Sequence, residues 1–220
     1  MADDVKRRPY RSAMRREQAE QTRRRVLTAA AQLFVEHGYD ATSIAAIAER
    51  AGVSAETVYA RFRNKRTLIG EVMQQAARGD DPRPIPEQDA PRAVAAEPDQ
   101  REQLRLFAAD IALRLERAAP LAAVVAAAAR SHPELAELYA RLHEARLGNL
   151  STLVEALSAN GRLRLPPEPA LETVWALTSP ELHQLLVGVR GWTSDRYRDW
   201  LADNLAALLV DEHPLSSPGR

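Results

Sequence analysis

The chain contains no cysteine, which removes disulfides, thiolate metal ligands and a cysteine nucleophile, and suits a reducing compartment. Aromatic residues make up only 5% of it, and there are nine glycines in 220 residues. No stretch alternates apolar and polar residues over a useful length, so an all-α chain is expected. No apolar run approaches the roughly 18 residues of a membrane span, and no apolar segment of secretory type follows the charged N-terminus. A cytoplasmic protein without membrane contact is the expectation. The five histidines, His37, His132, His143, His183 and His213, form no i, i+4 pair and no H-E-x-x-H pattern, so neither a metal nor another cofactor is expected. A phosphate-cradling glycine loop and a nucleophile elbow are also missing, which leaves enzyme chemistry without local support.

What is present is charge, unevenly spread. Lys+Arg and Asp+Glu each total 30, but residues 1–78 hold 15 basic against 9 acidic groups, and residues 79–220 hold 15 against 21. The neutral total conceals a basic N-terminal third, the electrostatic footprint of a nucleic-acid contact.

Within that third, Thr42 to Arg66 has the form of a helix-turn-helix. Ile44, Ile47 and Ala48 give the first helix an apolar face. Gly52 ends it, Val53 can plug the crevice, and Ser54 is a good N-cap for a second helix in which Val58 and Phe62 share one face. The same pattern suits an ordinary helical hairpin; the basic residues around it favour DNA. Arg23 and Arg24, near the start of a preceding helix, are candidates for phosphate contact.

Thr28 to Arg78 also resembles the N-terminal domain of TetR-type transcriptional regulators, through A-x-x-L-F-x-x-x-G-Y, A-T-S-I-x-x-I-A and G-V-S-x-x-T-V-Y-x-x-F-x-N-K in that order. The resemblance implies a dimer that binds operator DNA and releases it when a small molecule enters the C-terminal domain. Carried over position by position, it makes Thr42 or Ser43, Tyr59, Arg61 and Lys65 backbone-positioning residues. Ala45, Ala55, Glu56, Thr57 and Ala60 would face base edges. That set lacks an Arg, Lys, Asn or Gln for a bidentate purine contact, so readout is expected to be modest and partly by DNA shape. A non-specific basic DNA-binding module, or a small helical enzyme, are the alternatives.

The expected organisation is a mobile basic arm at 1–18, a DNA-binding domain at 19–66, a connecting helix at 67–78, and a Pro-rich connector at 79–98 too rich in proline for helix. A helical ligand-binding and dimerisation domain follows at 99–210, then a disordered tail at 211–220. Within that domain Pro120 and Pro133 are expected at helix starts, and Pro180 should break the segment from Pro169 to Val189. Polar or large residues on Ala/Leu-rich helices, namely Phe107, Asp110, Arg114, Val125, Tyr139, His143, Trp175 and His183, are candidates for a ligand pocket. Leu171, Trp175, Leu182 and Leu186, with Tyr197, Trp200, Leu201, Leu205 and Leu208, are candidates for a four-helix dimer interface.

Overall fold

A computed structural model describes residues 4–211, with the side chains of residue 14 and of residues 16–211. Among them it is helical throughout, apart from one isolated bridge between Leu163 and Val210. The N-terminal helices are α1 (Asp4–Ala41), α2 (Ile44–Ala51), α3 (Ala55–Phe62) and α4 (Lys65–Arg78). A 3-10 turn at Ile85–Glu87 leads to α5 (Asp89–Ala96), α6 (Gln100–Ala128) and α7 (Pro133–Asn160). Next come α8 (Pro167–Leu177), a short α9 (Pro180–His183) that runs on as a π-helical turn over Gln184–Val189, and α10 (Ser194–Leu209).

Each boundary in the helix-turn-helix is set locally. Ser43 caps α2 by accepting from the Ala46 amide at 3.1 Å, and Gly52 closes it at φ 64, ψ 44. Ser54 caps α3 through the Thr57 amide, and Asn64 caps α4 through the Thr67 amide at 2.8 Å. Val26, Phe34, Ile47, Val58, Phe62, Leu68 and Ile69 are all essentially without solvent exposure and form one core.

That core does not close on itself. The C-terminal part of α6 (Leu121, Ala122, Val125, Ala128) and Leu135 of α7 belong to it, whereas the N-terminal part of α6 builds a second core with α7, α8 and α10. α6 is therefore the shared beam of the molecule, and Pro120 lies at the passage from one core to the other. A helix start was expected there; instead the helix is continuous through Pro120. The lost hydrogen bond costs about 3 kcal/mol, and burial of Ala118, Ala119, Leu121 and Ala122 on both sides offsets it. Pro180, by contrast, does separate α8 from α9, with Ser179 capping the new start through the Leu182 amide.

Two other expectations need correction. Residues 79–98 are not free of helix: Pro91 is the third residue of α5, where an N–H has no intrahelical partner and proline is tolerated. The stretch expected as an arm is helical from Asp4 onward, its Arg, Lys, Glu, Gln and Ala being strong helix formers even without an apolar face. The first helix is broken at Gly38 (φ 77, ψ 177), after which α1 resumes to Ala41. The tail from residue 212 lies outside the described residues.

Candidate nucleic-acid interface and adjoining cavity

The outward face of α3 carries Glu56, Thr57, Tyr59, Ala60 and Arg61, all exposed, with Ala55 half-buried at its start. Ala45 is exposed on α2. Val58 and Phe62 hold the opposite face in the core, so the helix is pinned with this face turned outward. Glu56 is kept below the usual carboxylate range by its own backbone amide and the Ser54 hydroxyl, so it is an anion at neutral pH.

The candidate phosphate-contacting residues divide. Tyr59 (53% exposed) and Arg61 stand free of the core, Arg61 with a weak contact to Glu20 at 3.6 Å, and Arg24 is exposed on α1. Arg23 instead binds the Glu71 carboxylate through Nε and Nη2 at 3.2 and 2.9 Å, tying α1 to α4. Thr42 is 1% exposed and its hydroxyl donates to the carbonyls of Leu33 and Gly38. Of the pair Thr42 or Ser43, only Ser43 is exposed. Lys65 is also spent inside the protein: Nζ donates to the carbonyls of Tyr39 (2.8 Å) and Thr42 (3.0 Å), and lies 4.3 Å from the Tyr39 ring centre. Burial pushes its pKa down. Lys65 is the clasp of the corner between α1 and α2.

Arg63, one of the basic residues around the helix-turn-helix, has a specific place. Exposed between α3 and α4, it adopts φ 62, ψ −50, and the Asn64 amide reaches back over it to the Phe62 carbonyl at 2.6 Å. This γ-turn is strained for a residue with a Cβ. Nothing in the hydropathy pattern announces it.

On the far side of α4 lies a cavity of about 540 Å³, within the range of small-molecule sites. Its walls come from the C-terminal half of α4 (Met73, Ala77, Arg78), the connector (Ile85, Pro91, Val94), α6 and α7. Phe107, Asp110, Arg114, Tyr139 and His143 line it. Three other candidates do not: Val125 is sealed in the core beneath the helix-turn-helix, Trp175 packs with Arg146 outside the lining, and His183 (4% exposed) sits edge-on to Tyr197. Sequence reasoning missed Arg78, Arg146 and Asn149, which look like ordinary helix-surface residues until α4 and α7 are placed around one space.

Arg114 organises the near wall. It donates to Asp110 at 2.7 Å, to the Ala77 carbonyl at 2.8 Å and to the Gln88 side chain at 2.8 Å, while Gln88 donates to the Arg78 and Arg83 carbonyls. The Pro-rich connector is thus fastened to the end of α4.

The far wall is a stripe of α7. Tyr139 donates to Glu181 at 2.7 Å, and burial, helped by this bond, pushes its hydroxyl up to about 12. His143 packs edge-on against Tyr139 and is held below its usual pKa, mainly by burial. Arg146 donates through both terminal nitrogens to the Trp175 carbonyl, and burial brings its guanidinium down to about 10, still a cation at neutral pH.

A family model for "Bacterial regulatory proteins, tetR family" matches residues 26–72. The repressor BepR of Brucella suis biovar 1 (strain 1330) is 33% identical over 199 residues, which covers 81% of this chain and 88% of BepR. The chain belongs to the tetR family. A shorter match, to the regulator YvkB of Bacillus subtilis, is 44% identical over 54 residues, 24% of this chain and 29% of YvkB. Among solved structures, NalD, the secondary repressor of the MexAB-OprM multidrug efflux pump in Pseudomonas aeruginosa, superposes with a TM-score of 0.67 at 25% identity, covering 90% of this chain and all of NalD. As a tetR-family protein the chain is a DNA-binding transcriptional regulator, not an enzyme. Among the described residues no helix is long and apolar enough to cross a membrane.

The candidate dimer surface also divides. Tyr197, Leu201 and Leu205 have no solvent exposure and belong to the chain's own core, so they cannot form an interface. Leu171, Trp175, Leu182, Leu186 and Trp200 are half-buried, and Leu208 is exposed. Leu185 (52%) and Val189 (76%), both in the π-helical turn, are exposed as well.

Proposed function

We propose that the chain is a homodimeric repressor whose α2 and α3 grip one half of a nearly palindromic operator, and that a small molecule in the cavity releases it. The observation that carries this reading is α4. Its N-terminus supplies Lys65 to the corner beside the helix-turn-helix, and its last turn forms the cavity wall fastened by Arg114. A ligand that displaced the wall would tilt a helix joined to the DNA-reading unit at its other end.

In this reading Ser43, Tyr59, Arg61, Arg63 and Arg24 hold phosphates, while Ala45, Ala55, Glu56, Thr57 and Ala60 face base edges. Thymine methyls suit the alanines and Thr57, and Glu56 can accept from a cytosine amine. The second subunit docks on the apolar surface of α9, its π-helical extension and α10, which fixes the spacing of the two reading helices. The ligand acts by population shift, with a reach limited to its differential affinity for the two spacings. The test is operator binding with and without a cavity ligand, using Ala118→Trp to fill the cavity. Loss of release with operator affinity retained supports the reading. Equal release from the filled cavity would refute it.

A further inference from the structure

The cavity's charge is lopsided. Its lining carries three guanidinium groups, on Arg78, Arg114 and Arg146, against one carboxylate, Asp110, which is paired with Arg114. Glu181 lies beside the far wall, its carboxylate accepting from the Tyr139 hydroxyl and 3.7 Å from His143 Nε2, so it offsets part of the positive charge there. Tyr139, His143 and Arg146 follow at i, i+4 and i+7, one stripe of α7. Three buried nitrogens on lining residues have no hydrogen-bond partner: Nε of Arg78, Nε of Arg146 and Nδ1 of His143. The far pair is also held in place. The His143 ring is 4.4 Å from Tyr139 and 5.6 Å from Trp175, and the Arg146 guanidinium lies 4.9 Å from the Trp175 ring with both terminal nitrogens on the Trp175 carbonyl.

We infer that the cavity takes an amphipathic organic anion, whose carboxylate sits at the Arg146 and His143 end and whose apolar body lies along Phe107, Ile111, Leu115, Leu150 and Leu153. This rests on the effector reading above and adds the chemical class of the effector. One N–H of each terminal nitrogen is on the Trp175 carbonyl, which leaves Arg146 Nε–H as a donor without a partner for the anion, beside the imidazole. A neutral ligand leaves the buried cationic donor unpaired, and a cationic one adds repulsion. Because the side chains are already fixed, little ordering entropy opposes the anion.

The test uses three ligands with one decyl chain and different heads: decanoate, decanol and decyltrimethylammonium, titrated calorimetrically into the full chain below their micelle concentrations. Decanoate should bind about tenfold or more tighter than decanol, and the ammonium weakest. In Arg146→Met the preference for decanoate should vanish while decanol affinity stays within about twofold, the neutral ligand reporting an intact cavity. His143→Phe, which keeps the ring packing, should reduce the preference in part and carries the test if Arg146→Met fails to fold. Decanol or the ammonium binding as well as decanoate would overturn the anion inference and leave the cavity reading standing. A preference that survives both variants would overturn the assignment to Arg146 and His143. Absence of binding by all three would overturn the inference, whereas the effector reading stands or falls separately with the filled-cavity variant.

Discussion

The Arg114 guanidinium donates to the Gln88 side chain at 2.8 Å, with both residues buried. Through this contact α6, the connector and the last turn of α4 share one hydrogen-bond network. Gln88 uses its amide fully, accepting from Arg114 and donating to the Arg78 and Arg83 carbonyls. Replacing it by leucine leaves Arg114 short of a partner at a buried position. Gln88→Leu should lower the unfolding free energy by about 1–3 kcal/mol, and residues 79–98 should become the first site of limited proteolysis. An unchanged denaturant midpoint and cleavage pattern would show that the connector is held by other contacts.

Lys65 and Arg63 are close in sequence but should behave differently. Lys65→Met removes the clasp on the Tyr39 and Thr42 carbonyls, and a fall of about 2–3 kcal/mol in stability is expected by analogy with other charged hydrogen bonds. DNA binding would weaken as a consequence of the loosened corner. A mutant that lost DNA affinity with an unchanged melting temperature would return Lys65 to the phosphate-contacting set.

Arg63→Gly removes an exposed cation and relieves a positive φ. Stability should rise by up to about 1 kcal/mol, while DNA affinity falls uniformly across sequences and the salt slope drops by about one per subunit contact. Thermal melts and salt titrations of binding should therefore move in opposite directions. If both fall, the residue is structural.

His183 is buried against Tyr197 with neither ring nitrogen hydrogen-bonded, and desolvation lowers its pKa below 6.5, opposed by the Glu116 charge. His143 shifts the same way. For such groups the folded state favours the neutral ring, so stability is complete above the unfolded value and declines as pH falls from about 6.5 through the folded value. Denaturation at pH 7.5 and pH 5.5 should show the loss in the wild type and a smaller loss in His183→Phe. Equal losses would place the pH dependence elsewhere.

Much of this was legible in the sequence because the deciding physics is local. Ser43, Gly52 and Ser54 set their helix boundaries through neighbours three or four residues away, and Val58 with Phe62 fixes which side of α3 turns outward. Pro120 shows where local rules lose: helix continuity there is decided by two cores that only tertiary packing brings to α6. Tyr197, Leu201 and Leu205 carry the same apolar period as a dimer surface, and only the position of α6 against α10 shows that they face inward. Thr42 and Lys65 match family positions, but the backbone carbonyls that occupy them come from the last turns of α1 and from Thr42 itself. Arg78 and Arg146 become cavity residues only once α4 and α7 enclose one space.

The central claim is sequence-specific binding by a dimer that presents two copies of α3. Selection of bound sequences from a random DNA pool at near-physiological salt tests it without knowledge of the effector. We predict enrichment of an inverted repeat with half-sites about one helical turn apart, bound about a thousandfold or more tighter than random DNA. Salt-sensitive binding with no enriched sequence would contradict the claim and identify a non-specific basic module instead.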